Sequence, residues 1–465
     1  MTNPRLAAYC SSEADAVQNR LFRWLEIPSI SAAPEHAADV RRSAVWLADA
    51  CRDAGFERVE IFETPGHPSV FAQWSGAPPG APTVLVYGHH DVQPVDPIDA
   101  WEHPPFEPIV VDGECRARGA IDDKGQVLYH LEAVRATLAE RGSLPVNLKL
   151  LVEGEEEVGS PHFEALLAER AAELACDVIV VSDTGMIAPD VPSTDVSMRG
   201  LVAATVTLTT SSIDLHSGTF GGAVPNPLHH LARLVHRLHD DEGRVALPGF
   251  ADDVAPLSAA EAASLADQPF DEEEFRRLAG VAFLEGEDGR STLERIGARP
   301  TAEVVGIWGG YTGDGIKTIV PASALAKISF RLVPDQDPAA IMTLVSDWIR
   351  SEVADGIAVD IVWHGGVAPA RTDTDHWSFA ALARAITTVW GRAPLLTRVG
   401  GSGPEESLGR VLDAPVVFLG VGLPGDRIHA PNERMVMDQF WRGLCAAGEL
   451  YDELAAAAEA VDPAT

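Results

Sequence analysis

The stretch Leu150–Ser160, LLVEGEEEVGS, constrains this chain more than any other. An apolar run from Val146 to Val152, interrupted by Asn147 and Lys149, reads as a buried strand. It halts at Glu153-Gly154 and then lays down Glu155, Glu156 and Glu157 in succession. Gly159 and Ser160-Pro161 end the turn and open a helical pattern. Three adjacent carboxylates repel one another, and the end of a buried strand is a costly place for unpaired charge. A solvated acidic loop would meet that cost with water. A metal ion would meet it with cationic charge and leave one carboxylate as a general base. Three other strands that end in metal-type ligands favour the metal.

Length and charge narrow the field. A chain of 465 residues is too long for one simple core and predicts two domains. The net charge of -34 argues against binding nucleic acid or an anionic membrane. The cysteines Cys10, Cys51, Cys115, Cys176 and Cys445 are scattered, odd in number and without a C-x-x-C pair. That pattern disfavours a disulfide framework or a thiolate zinc site and fits a reducing compartment. The first residues lack a signal-type apolar core, and no apolar run is long enough to span a bilayer, so the expectation is a soluble, cytoplasmic protein.

Helices are predicted over about Glu13–Ile27, ended by Pro28, and over Ala37–Ala54, stopped by Gly55. Thr83–Tyr87 is a short buried strand that ends in Gly88-His89-His90-Asp91. In such a His-x-Asp the imidazole can face a metal while the aspartate orients the ring, although a lone histidine is more often structural. Arg118-Gly119-Ala120-Ile121-Asp122-Asp123-Lys124-Gly125 precedes a helix over about Gln126–Glu140, with Leu128, Leu131, Val134 and Leu138 on its buried face. An N-cap would explain one of the two aspartates, and the pair also suits bridging metal ions. The strand Asp177–Val181 ends in Ser182-Asp183-Thr184. Alternating strands and helices of this kind make an α/β architecture, in which ligands gather at the carboxyl ends of strands.

The character changes near Arg199. Strands at Val202–Thr210, Glu303–Trp308, Ala324–Val333 and Ile357–His364, with helices Pro227–Asp240 and Pro338–Val353, follow the ferredoxin-like order. An acidic, Ala-rich insertion, Gly243–Arg299, interrupts it. His229, His230, His236 and His239 do not converge on one face and read as surface or packing residues. After about Arg371 the first character returns, with the glycine-rich Gly400–Pro404, a buried strand Pro415–Leu419 and then Ile428-His429-Ala430-Pro431-Asn432-Glu433. The predicted domains are 1–198 and 371–465, a discontinuous catalytic domain, and 199–370, inserted into it.

His89, Asp122, Glu157, Asp183 and His429 supply two imidazoles and three carboxylates, a set suited to two zinc-like ions sharing one carboxylate. Glu156, beside a ligand, could take a proton from water.

At this point YGHHDVQP, ARGAIDDKG, LVEGEEEVGS, DLHSGTFGG, KTIVPASALAKISFRLVPDQ, GGSGP and IHAPNE resemble the dinuclear zinc aminoacylase, carboxypeptidase and dipeptidase family, in family order and over nearly the whole chain. The branch they resemble is that of the cytosolic nonspecific dipeptidase and carnosinase. The resemblance implies a zinc-peptidase catalytic domain, a mixed sheet flanked by helices, with an inserted ferredoxin-like α+β lid and dimerisation domain. It implies that His89 and Asp183 bind one metal, Glu157 and His429 the other, and that Asp122 bridges them across a cis Asp122–Asp123 peptide. Asp91 would orient His89, and Glu156 would be the general base. His216, from a partner subunit of a homodimer, would stabilise the oxyanion. Arg331 would pair with the substrate carboxylate, helped by Thr318, Gly401 and Ser402, and His364 would line the pocket. Alone, Arg331 would read as an ordinary surface or ion-paired residue, His216 as a loop residue and Gly400–Gly403 as a flexible loop. The sequence departs from the branch at Gly403, where an apolar residue is usual, and in the insertion, which no motif covers.

The implied activity is hydrolysis of dipeptides with a free C-terminal carboxylate by a metal-activated water, using two zinc ions, with manganese or cobalt as substitutes. The rivals are a deacylase of N-acyl or N-succinyl amino acids with the same site, and a non-catalytic binding protein on the same scaffold. Hinges near Arg199 and Ala370 would let the domains close on substrate.

Overall fold

The apolar run before the three glutamates forms the strand Asn147–Glu153, and its neighbours define the sheet that carries the site. In the computed structural model, which describes residues 4–461, six strands lie in the spatial order Arg58–Phe62, Ser69–Trp74, Asn147–Glu153, Thr83–His89, Val178–Val181 and Val416–Phe418. Thr83–His89 runs parallel to both Asn147–Glu153 and Val178–Val181, and Val416–Phe418 extends the parallel set. The two outer strands at the other edge are antiparallel, so the sheet is mixed. The parallel strands are continuous apolar runs because both sheet faces are covered, and each is buried almost throughout.

The chain divides into two compact units. One comprises the chain up to Val196, Thr372–Thr397 and the chain from Gly403 onward, and the other comprises Ser197–Arg371 with Arg398–Ser402. In the first unit the helix Lys124–Arg141 packs on strand Thr83–His89 and against the helices Ala14–Leu25 and Met437–Val461. It is buried on nearly every side over Lys124–Thr137, more than the single apolar stripe expected, and Leu138 lies near the rim. Lys124 is enclosed at its start, and its Nζ donates to the carbonyls of Trp24 (3.2 Å) and Ile27 (2.8 Å), closing the carboxyl end of the Ala14–Leu25 helix. The predicted helix Glu13–Ile27 is observed as Ala14–Leu25, and a further helix, Pro4–Ser12, precedes it.

In the second unit the strands Thr301–Gly309, Ser323–Leu332, Gly200–Thr209 and Ala358–Val367 form one antiparallel sheet in that spatial order. Helices Pro227–His236 and Pro338–Glu352 pack on one face of it. Gly200–Thr209 alternates buried and half-buried residues, as a sheet covered on one side requires. Val202, Val206, Leu231, Leu234, Ile328, Phe330 and Val345 are among the residues of its core. Both helices begin on a capping side chain followed by proline: Asn226 accepts from the Leu228 amide (3.0 Å) and Asp337 from the Ala340 amide (2.7 Å). The insertion forms short helices at Ala259–Asp267 and Glu272–Ala279, each started by an acidic or hydroxyl cap. Arg398 reaches Glu261 (2.6 Å) and Ser402 reaches Arg331 (2.9 Å), which is why residues 398–402 cluster with this unit. Among the described residues, no helix is long and apolar enough to cross a membrane. All five cysteines are free.

Close backbone approach fixes the ends of the parallel strands. A Cβ on Gly420 would lie 2.2 Å from the carbonyl oxygen of Thr184, the residue after Asp183. Gly420→Ala is therefore expected to lower unfolding stability by about 1–3 kcal/mol through forced backbone displacement; urea denaturation checks this, and an unchanged midpoint would contradict the packing described.

Candidate metal centre

Three parallel strands deliver candidate ligands at their carboxyl ends. His89 is the last residue of its strand, Asp183 follows Val181 by two, and Glu156 and Glu157 open a short turn of helix just after Glu153. Asp122 comes from the loop before the Lys124 helix, and His429 from a loop after the last parallel strand. The Asp122–Asp123 peptide is cis. Asp123 holds the N-cap position of the helix but makes no capping bond. Its Oδ2 accepts instead from the His89 amide (3.2 Å), and Gly88 leaves the space, since a Cβ there would stand 2.5 Å from that oxygen.

The side chains form two triads that share one aspartate. His89, Asp122 and Asp183 are one, and Asp122, Glu157 and His429 the other, with the donor atoms of each within 4.8 Å of one another. His89 Nε2 lies 3.0 Å from Asp122 Oδ1 and 3.6 Å from Asp183 Oδ2. His429 Nε2 lies 2.9 Å from Asp122 Oδ2 and 3.1 Å from Glu157 Oε2. Asp122 thus directs one oxygen to each imidazole. The Nδ1 of His89 is engaged by the Asp91 carbonyl (3.1 Å) and faces Asp91 Oδ1 (3.4 Å), which turns Nε2 toward the carboxylates. Asp91 Oδ2 also accepts from the Glu157 amide (3.1 Å), so one aspartate steadies two of the donors.

Electrostatics test whether this set fits a cation. Burial works against a charged His89, yet Asp183, Asp122 and Asp91 outweigh it and push its pKa well above the usual imidazole value. Hydrogen bonds with Asp122 and Glu157 raise His429 to about 10. Burial raises Asp183 to about 7, with Asp122 and Glu157 adding to the shift. Glu157 is raised by burial and by Asp122. Glu156 is pushed well above the carboxylate range by burial, with Asp183, Glu157 and Asp91 reinforcing it against His89. Asp122 alone is held far below, because its two imidazole bonds overcome the cost of burial. The cluster is short of positive charge, and mixed imidazole and carboxylate donors in two triads suit two divalent ions sharing a carboxylate.

The nearest strong cations are committed elsewhere, and this was not legible in the motifs. Arg118 pairs with Glu433 (2.7 Å) in a fully buried bridge. Glu433 also accepts from the amides of Gly119 (3.0 Å), Ile121 (3.1 Å) and Asp122 (3.2 Å). The loop that offers His429 therefore grips the loop that offers Asp122. Gln93 donates to Glu157 Oε2 (2.7 Å), fixing another donor. The signal available was position: Glu433 ends IHAPNE four residues after His429, and Gln93 lies in DVQP.

The remaining candidates lie in the second unit in three groups. Arg331 Nη1 donates to Ser402 Oγ (2.9 Å), with Gly401 adjacent in the chain. His216 and Thr318 meet where Leu215–His216 pairs with Ile319–Val320, the Ser217 amide donating to the Thr318 carbonyl (3.0 Å). His216 is exposed, and its Nδ1 accepts from the Gly218 amide (3.0 Å), leaving Nε2 outward. His364, also exposed, bonds Thr205 Oγ1 (2.7 Å).

Residues 85–453 match peptidase family M20/M25/M40. The chain is 30% identical over 465 residues to the Cys-Gly metallodipeptidase dug1 of Schizosaccharomyces pombe, covering 96% of each chain. It is 30% identical over 466 residues to the Beta-Ala-His dipeptidase of Homo sapiens, covering 96% of this chain and 92% of that one. Among solved structures, an M20 family metallo-carboxypeptidase, Sso-CP2 from Sulfolobus solfataricus, superposes with a TM-score of 0.83 at 32% identity, covering 95% of this chain and 99% of the other.

The raised carboxyls make a pH prediction. Asp183 and Glu433 at about 7, and Glu153 and Glu405 at about 8, bind protons in the folded state that the unfolded chain, at about 4–4.5, has already lost. Stability of the metal-free protein should fall as pH rises from about 4.5 through 8, and the charged-pair contribution of His429, complete below about 6.5, should fade toward 10. A divalent ion that takes the place of the proton on Asp183 should flatten that part of the decline. Thermal melts of chelated and metal-loaded protein across pH 5.5–9 check this; a steeper decline with metal would contradict it.

Proposed function

The chain belongs to peptidase family M20/M25/M40, and from that we propose that it is a metal-dependent dipeptidase, cleaving dipeptides that carry a free C-terminal carboxylate. The observation that carries this reading is the pair of ligand triads sharing Asp122, with the carboxyl of Glu156 beside them. Relatives named as Cys-Gly and Beta-Ala-His dipeptidases, matched over nearly their full length, support the substrate class.

His89 and Asp183 would hold one ion, Glu157 and His429 the other, and Asp122 both, with Asp91 orienting His89. Zinc is the ion favoured by imidazole with carboxylate, and manganese or cobalt would also fit. Bound divalent ions supply Lewis acidity and lower the pKa of water. Glu156 takes a proton from the attacking water and delivers it to the leaving amine. Its surroundings favour that role, because neighbouring carboxylates and burial raise its proton affinity, and among the described residues no hydrogen bond or ion pair occupies its carboxylate. Arg331, braced by Ser402 and with Gly401 and Thr318 nearby in function, binds the substrate carboxylate through its planar guanidinium. His364 lines the pocket. The second unit serves as a ferredoxin-like lid and dimerisation domain of a homodimer, and His216 donates from the partner protomer to the developing oxyanion. Five free cysteines suit a cytoplasmic setting.

Two measurements test this. Glu156→Gln should keep its metal content, read by elemental analysis, while turnover falls by about 10²–10⁴-fold; near-normal turnover would remove Glu156 as the base. Chelated protein resupplied with zinc, manganese or cobalt should cleave dipeptides and leave N-acetyl and N-succinyl amino acids intact. Preference for the acylated substrates would overturn the substrate class, and no turnover on either would return the binding-protein reading.

A further inference from the structure

Away from the metal centre, the helices Pro4–Ser12 and Met437–Val461 approach each other closely. A Cβ on Gly448 would stand 2.6 Å from Leu6 Cδ1, so glycine permits the contact. One turn further along each helix, in opposite directions, come Cys10 and Cys445. The two thiols stand close enough to share a hydrogen bond. Both thiols line one surface cavity of about 560 Å³, together with Ser11, Trp390, Trp441 and Arg442. The Pro4–Ser12 helix is held in place from its other side, where Tyr9 Oη donates to Glu132 Oε2 (2.8 Å). Cys10 is half-buried and open to the cavity, whereas Cys445 is only 4% exposed behind it.

We propose that Cys10 and Cys445 form a dithiol modification site that exchanges with low-molecular-weight disulfides and closes into an intrachain disulfide tying the first described helix to the last. The Cys10 thiolate attacks one sulfur of the incoming disulfide, forms a mixed disulfide and releases one thiolate. The Cys445 thiolate then attacks the Cys10 sulfur, forms the Cys10–Cys445 bond and releases the second. The two protein thiols are oxidised, the small disulfide is reduced to two thiols, and the two protons pass to the released thiolates.

The chemistry of the other cysteines makes the site selective. Burial pushes Cys51, Cys115 and Cys176 up to about 12, and the first two have no exposure at all. A hydrogen bond from Cys445 lowers Cys10, which makes the accessible thiol the better nucleophile and reserves Cys445 for the resolving step. The site is independent of the proposed dipeptidase activity and of metal loading.

The test uses native full-length protein with oxidised glutathione as the probe, followed by alkylation and non-reducing peptide mapping. Wild type should lose one pair of free thiols and yield a cross-linked peptide joining Cys10 to Cys445, reversed by reductant. Cys445→Ser should stop at a glutathione adduct on Cys10, and Cys10→Ser should show neither product. A persistent adduct on Cys10 in wild type, a linkage to another cysteine, or an unreacted Cys10 would each overturn the proposal.

Discussion

Buried carboxylates gathered without a protein cation are the constraint on which the first unit depends. Asp122, Asp183, Glu156 and Glu157 converge at the ends of parallel strands, and among the described residues the basic side chains that meet Asp122, Asp183 and Glu157 are His89 and His429. The strong cations of the same loops are spent elsewhere: Arg118 on Glu433, and Lys124 on backbone carbonyls. Ordinarily an uncompensated group of this kind would unfold its surroundings or stay protonated. Here burial and mutual repulsion raise the proton affinity of Asp183, Glu156 and Glu157, imidazoles bridge Asp122, and a divalent ion would meet the same need for positive charge. Metal affinity and proton affinity are therefore two readings of one electrostatic deficit.

Holding such a cluster together requires a backbone that cannot relax, and the parallel sheet provides it. Strands buried on both faces place His89 and Asp183 on adjacent, registered chains, Tyr87 lying opposite Val181. The loops that supply Asp122 and His429 lie outside that sheet and meet where Glu114–Arg116 pairs with Arg434–Val436. Glu433 extends that pairing, taking three amides and a guanidinium into one carboxylate. The His429 loop is itself anchored by Asn432, which accepts from the Glu102 amide and donates to the Ala100 carbonyl. The second unit follows another rule. Arg331, His216 and His364 stand on an antiparallel sheet with one open face and an exposed ribbon, positions that keep side chains accessible rather than fixed.

What could be read from the sequence was whatever depends on neighbours in the chain. The buried strands, the candidate ligand that follows each, the helix starts at Pro227 and Pro338 and the change of character near Arg199 all declare themselves within a few residues. The support for the ligands does not. Glu433 lies more than 300 positions from the amides it binds, and nothing local marks it as their partner. Asp123 illustrates the same limit at short range. Its place before a helix correctly suggests an N-cap position, but tertiary packing draws its carboxylate to the His89 amide instead. The helix Pro4–Ser12 does not declare itself, since Leu6 is its one buried residue and no apolar stripe repeats along it. Likewise Arg398–Ser402 joins the second unit through Glu261 and Arg331, contacts that no periodicity encodes.

The departure at Gly403 has a physical reason in the same currency. Glu405, 2% exposed at the start of the Glu405–Leu412 helix, folds its carboxyl back beneath the loop. A Cβ on residue 403 would stand 2.6 Å from Glu405 Oε2, so an apolar side chain there and this carboxyl position exclude each other. One carboxyl oxygen of Glu405 has no hydrogen-bond partner, and burial, with Asp183 and Asp195 adding, pushes its pKa up to about 8. The glycine and the acid are thus one feature rather than two. An acid kept neutral behind Asp183 adds no further negative charge to a cluster already short of cations, whereas an ionised one would deepen the deficit. A side chain at 403 would displace the Glu405 carboxyl from this position, and the electrostatic balance near Asp183 would change with it.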